Sequence, residues 1–98
     1  MRLIMNKDEK AVYEYINSIE KWCQLCGSTF NLHRHHIYYR SELGLTVPKN
    51  IIVLCEKCHR KVHSNKKVWQ PHLLELQYKR FGYFTREEVT KCKKYGNL

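Results

Sequence analysis

The chain has 98 residues, a length that makes one domain rather than two. Hydrophobic residues are 43% of it, enough for a small core, and no apolar run approaches the ~18 residues of a membrane span. Lys and Arg outnumber Asp and Glu by 18 to 9, a net charge of +9 that favours a polyanionic partner, of which nucleic acid is the commonest.

Residues 6–22 read as a helix, with Asn6 as cap and Glu9 three residues on. Val12, Tyr15, Ile16, Ile19 and Trp22 recur at three- and four-residue spacing and define one apolar face. Charges balance over residues 1–22, four against four, so this segment is expected to serve packing. Residues 30–39 are rich in β-formers and histidine and read as a strand, followed by a loop over 40–49 with Gly44 and Pro48. Asn50 opens a second strand over 51–54, and Cys55-Glu56-Lys57-Cys58 turns into a short helix through His63. Residues 69–81 form another helix, with Pro71 in its first turn and Gly82 just past its end. Thr85-x-x-Glu88 is a capping box for a last helix, and the tail from Lys91 is basic. Residues 23–67 hold eight basic and two acidic side chains, so the excess charge is concentrated there.

Four of the five cysteines form two C-x-x-C pairs, Cys23/Cys26 and Cys55/Cys58, with 28 residues between them. The odd total and the lack of a visible secretory signal argue against a disulfide scaffold. Each pair places two thiolates on one tight turn, and two turns supply the tetrahedron of a structural Zn²⁺ site. Such a site contributes roughly 10–16 kcal/mol to folding, which a core this small needs. Cys92 stands apart and reads as a free thiol without a role.

Histidine is the second cluster. His35 and His36 are adjacent on the first strand, so their side chains point to opposite sides. His59 and His63 are four apart on the helix, so they share a face and can chelate one ion. His33 is two residues from His35 and faces the same side, as a neighbour of that site or as a packing or phosphate-contact residue. His72 reads as surface.

His35-His36-Ile37, Pro48 to Leu54, and Cys55-x-x-Cys58-His59-x-x-x-His63 together resemble the H-N-H nuclease family. Cys23-x-x-Cys26-Gly27 resembles its zinc-binding subclass, and the resemblance covers residues 22–64. It implies an α+β fold. Its core is a ββα-metal finger over residues 23–64, stapled by the four-cysteine zinc and flanked by an N-terminal helix (1–22) and C-terminal helices (65–98). It implies His35, His59 and His63 as ligands of a catalytic ion, His36 as general base, and Asn50 as the residue that holds the loop behind the base. One departure is visible: many relatives carry a double glycine after the base, and this loop has Gly44 alone.

The chemistry fits those residue types. Neutral imidazole, with an ordinary pKa of about 6.5, can take a proton from water, so cleavage should weaken below that pH. A divalent ion balances charge on phosphate and leaving oxygen. An all-imidazole site suits Zn²⁺, Ni²⁺, Co²⁺ or Mn²⁺; Mg²⁺ prefers oxygen but remains workable where the substrate supplies it. Arg34, Arg40, Lys57, Arg60 and Lys61 flank the motifs as candidate phosphate contacts, with Arg40 preferred near the scissile bond.

The expected activity is metal-dependent endonucleolytic cleavage of single- or double-stranded DNA, by a monomer or a dimer, leaving 5′-phosphate and 3′-hydroxyl ends. Resemblance to small phage and bacterial proteins implies a bacterial cytoplasm and a phage terminase as a possible larger partner. The rival is a non-catalytic zinc module that binds DNA or acts as an adaptor. RNA is the other candidate substrate.

Overall fold

The computed structural model describes residues 7–91. The Asn6 cap, Cys92 and the tail beyond Lys91 lie outside the described residues. Helix α1 (Lys7–Ile19) leads through the first cysteine turn to strand β1 (Leu32–His36). Two short 3₁₀ turns, Arg40–Glu42 and Pro48–Asn50, carry the chain to strand β2 (Ile51–Cys55). Helices α2 (Glu56–Ser64), α3 (Lys66–Phe81) and α4 (Arg86–Val89) follow. This is a small α+β fold on a two-stranded antiparallel sheet.

The sheet is covered on both faces, which explains why β2 is a continuous apolar run and not an alternating one. Its even positions, Ile52 and Leu54, pack with Ile37, Val62 and Leu73 under α2 and α3. Its odd positions, Ile51 and Val53, pack with Ile16, Val12 and Tyr13 of α1. The register pairs His35 with Ile52 and His36 with Ile51, so one imidazole faces α2 and its neighbour faces α1.

The edge of β2 away from β1 is closed by side chains and by the cysteine turn. Glu20 accepts the Val53 N–H at 3.2 Å, Gln77 donates to the Ile51 carbonyl at 3.1 Å, and Gln24 N–H donates to the Val53 carbonyl at 2.9 Å. Glu20 is itself ion-paired with Arg80 of α3. A two-stranded sheet is marginal alone, and these contacts cover the outer edge of β2.

Three sequence expectations are corrected. The apolar stripe of α1 is set differently: Ile16 is buried with Val12 and Tyr13 against it, while Tyr15, Ile19 and Trp22 are 50%, 43% and 51% exposed. The helix stops at Ile19, so Trp22 never joins its face. The first strand is five residues long because residues 37–50 form a separate loop locked from inside. Helix α3 begins at Lys66, so Pro71 lies beyond the first turn.

Candidate metal and catalytic centre

The four paired cysteines converge. Gly27, at φ +82, lets the first turn close, with its N–H donating to the Cys23 carbonyl at 2.9 Å. The Leu25 and Cys26 N–H groups point at Cys23 Sγ at 3.4 and 3.5 Å. Burial opposes ionisation of Cys23, but backbone donors from Cys55, Cys26 and Leu25 outweigh it and bring its pKa to about 6. Cys58 is pushed up by burial and by its sulfur neighbours. The four sulfurs all lie within 4.8 Å of one another, and Cys26 and Cys55 are 3.6 Å apart. A tetrahedron with Zn–S bonds of about 2.3 Å has edges of about 3.8 Å, so the donor set fits zinc.

Three imidazoles converge beside them, His59 and His63 from α2 and His35 from β1. Ligand nitrogens of His35, His59 and His63 lie within 4.8 Å of one another, and the Nε2 atoms of His59 and His63 are 3.1 Å apart. The rings of His35 and His59 are 5.0 Å apart at their centroids, and those of His35 and His63 are 5.1 Å apart. Burial, then the charges of His59, His63 and His36, hold the His35 pKa down at about 3. Burial and the neighbouring His63 and His33 bring His59 to about 4. Both rings are therefore neutral at pH 7, the state a metal requires. Edges of a tetrahedral Zn–N site are about 3.3 Å, close to the observed His59–His63 separation. Tyr39 meets the other side of His63, its hydroxyl 3.1 Å from Nδ1.

His36 points away from that cluster. Its Nε2 is 3.0 Å from the Thr46 hydroxyl, which donates to Glu9 of α1 at 3.1 Å. Burial, then Arg40, lowers its pKa, against an opposing pull from Glu9. Asn50 is fully buried and staples the loop between the strands. Its Oδ1 accepts the Tyr38 N–H at 2.8 Å, and its Nδ2 donates to the carbonyls of Tyr38 and Leu45 at 3.0 and 2.9 Å. Gly44 passes so close that a Cβ there would lie 1.8 Å from the Tyr38 carbonyl oxygen and 2.9 Å from Asn50 Nδ2. The single glycine of this loop sits where no side chain fits.

A 340 Å³ cleft opens over His35, His36, His59 and His63, with Arg34 and Arg40 on its rim. A larger groove of 620 Å³ beside α1 and α4 is mainly apolar, and the charged residues lining it, Lys49 and Glu88, face each other at 3.8 Å. The imidazoles and the two arginines line the smaller cleft.

The family HNH endonuclease matches this chain over residues 23–65, the segment that contains both clusters. Residues 23–65 are an HNH endonuclease domain. The chain has a relative in the Saccharomyces cerevisiae protein named for intron 1 of COX1/OXI3. The two are 30% identical over a 77-residue alignment that takes in 55% of this chain and 9% of that protein. The chain thus spans under a tenth of the length of the curated relative it matches. No solved structure matches the chain. No helix among the described residues is long and apolar enough to cross a membrane.

The five basic candidates of the HNH domain divide into two groups. Arg34 and Arg40 border the imidazole cleft; Arg34 lies over the Tyr13 ring at 5.1 Å, and Arg40 is 3.2 Å from Glu9. Lys57, Arg60 and Lys61 instead line a separate groove along α2, where Arg60 pairs with Glu56. His33 is exposed and its ring lies 5.1 Å from His59, bordering the cluster; His72 is exposed beside Trp69. Sequence reasoning missed Thr46, Glu9 and Tyr13 around His36, and Tyr39 against His63. No spacing rule links Glu9 to His36 across 27 residues; only the packing of α1 on the odd face of β2 brings them together.

Proposed function

We propose that the HNH domain hydrolyses DNA phosphodiesters, with His36 as general base and His35, His59 and His63 as the holders of one divalent ion. The observation that carries this is the division of adjacent histidines: His35 joins two helix imidazoles while His36 opens on the same cleft from the other side of the sheet. A divalent ion bound there supplies Lewis-acid charge for the phosphate and the departing oxygen. His36 takes a proton from the attacking water as its oxygen forms the new bond to phosphorus. The bond from phosphorus to the 3′ oxygen breaks, and that oxygen leaves as a hydroxyl after taking a proton from solvent. Asn50 keeps the loop behind His36 in place. Arg34 and Arg40 offer charge-assisted hydrogen bonds to the phosphate backbone from the rim.

Zinc is the proposed ion of the four cysteines, and Mn²⁺, Mg²⁺, Ni²⁺, Co²⁺ or Zn²⁺ that of the imidazoles. Action in a bacterial cell, with a phage terminase as partner, rests on resemblance and belongs to the same proposal. The test is cleavage of supercoiled plasmid across these metals by wild type, His36→Ala and His59→Ala/His63→Ala. Wild type is expected to nick and both variants to fail. A wild type that binds DNA but never cuts would leave a non-catalytic zinc module as the function.

A further inference from the structure

The packing helix α1 has a side chain in hydrogen-bonded sequence with the proposed base. Glu9 lies outside the matched HNH segment, and Thr46 sits in the loop between the strands. Their contacts run His36 Nε2 to Thr46 Oγ1 at 3.0 Å, then Thr46 Oγ1 to Glu9 Oε2 at 3.1 Å. A threonine hydroxyl has one proton to give, and a carboxylate oxygen can only accept. The hydroxyl therefore spends its proton on Glu9 and presents a lone pair to His36. For that contact to be a hydrogen bond, Nε2 must be the protonated nitrogen, which leaves Nδ1 with the free lone pair.

We propose that Glu9 and Thr46 are positioning residues that hold His36 in the Nε2–H tautomer, so that Nδ1 is the atom that accepts the proton from water. This rests on His36 acting as the base and adds what orients it. Glu9 is itself fixed by Arg40, whose NH1 is 3.2 Å from the same oxygen and whose NH2 donates to the Tyr13 hydroxyl at 3.3 Å. Helix α1 is seated by Ile16 on Ile51 and Val53, and Ile51 is the register partner of His36. The carboxylate and the imidazole are thus referenced to the same strand position.

Two measurements test it. Long-range ¹H–¹⁵N correlation of the wild-type protein at neutral pH is expected to show His36 with its proton on Nε2, and the Thr46→Val variant to show a mixture of tautomers. A wild-type ring protonated at Nδ1, or a Thr46→Val spectrum identical to wild type, overturns the proposal whether or not the protein cuts DNA. In single-turnover cleavage at saturating DNA and metal, Thr46→Val is expected to lose roughly 10- to 100-fold in rate. DNA affinity, metal content and melting temperature should stay near wild type, and Thr46→Ser should recover most of the rate. Glu9→Gln keeps the shape but weakens the acceptor and should fall in between. If His36→Ala abolishes cleavage and Thr46→Val cuts like wild type, the positioning role fails while the base assignment stands. If His36→Ala cuts normally, the base assignment itself fails.

Discussion

Asn50 shows how much one residue can hold. Its fully buried side chain makes three hydrogen bonds to backbone on both sides of the loop. Asn50→Ala strands one N–H and two carbonyls, and should cost about 3 kcal/mol, read as a lower midpoint in urea unfolding. Gly44→Ala should be comparably damaging, since the obstacle is backbone carbonyl and not a side chain that could swing aside. At the same scale, the imidazoles give stability a pH dependence. Folded His35 and His59 stay neutral down to about 3 and about 4, whereas in the unfolded chain they titrate near the ordinary value of about 6.5. The unfolded state binds more protons in that window, so the metal-free protein should lose stability as pH falls from about 6.5 toward 4. Thermal melts of chelator-treated protein between pH 4 and 8 would measure it. With His36 as the proposed base, its depressed pKa is expected to place the acid limb of cleavage below 6.5. A rate that already halves near pH 7 would contradict this.

Among elements, the sheet is the part that assigns roles. Alternation along β1 sends His35 to α2 and His36 to α1, and the both-sided burial of β2 means each direction has a helix to meet. Helix α2 begins at the second cysteine pair, so Cys58 in the sulfur cluster and His59 in the imidazole cluster are successive residues. The setting of α1 is testable by contrast. Ile16→Ala removes a buried side chain and should cost about 2–4 kcal/mol, whereas Ile19→Ala, at 43% exposure, should change stability by under about 1 kcal/mol. Equal losses at the two positions would mean that the helix is rotated from the orientation described.

At the scale of the whole molecule, two donor sets share one small core. Cys23, Cys55 and Cys58 are themselves core residues, packed with Ile52, Leu54 and Val62. Stripping metal from the sulfur site should therefore unfold the domain, seen as loss of the cooperative melt, while His59→Ala/His63→Ala should keep the fold and lose one ion. Elemental analysis is expected to find two ions per chain in wild type and one in the double variant. Two ions retained in that variant would remove the imidazole site.

The two C-x-x-C pairs, the His59/His63 spacing and the run Ile51–Cys55 were legible because each is a local pattern. Helical period and turn length alone put such residues on one face or one turn. The order strand, loop, strand, helix was legible for the same reason. The setting of α1 was not. Its spacing allowed a stripe through Tyr15, Ile19 and Trp22, and the competing stripe won because Glu20 is drawn to the Val53 N–H and to Arg80 of α3. The contacts of His36 with Thr46, and through it with Glu9, were likewise invisible along the chain. Short-range spacing grouped the cysteines in pairs and put His59 and His63 on one helix face. Only the stacking of a distant helix on the far face of β2 decided what stands behind His36, because hydrogen bonds between segments depend on where packed elements come to rest, and no local pattern encodes that.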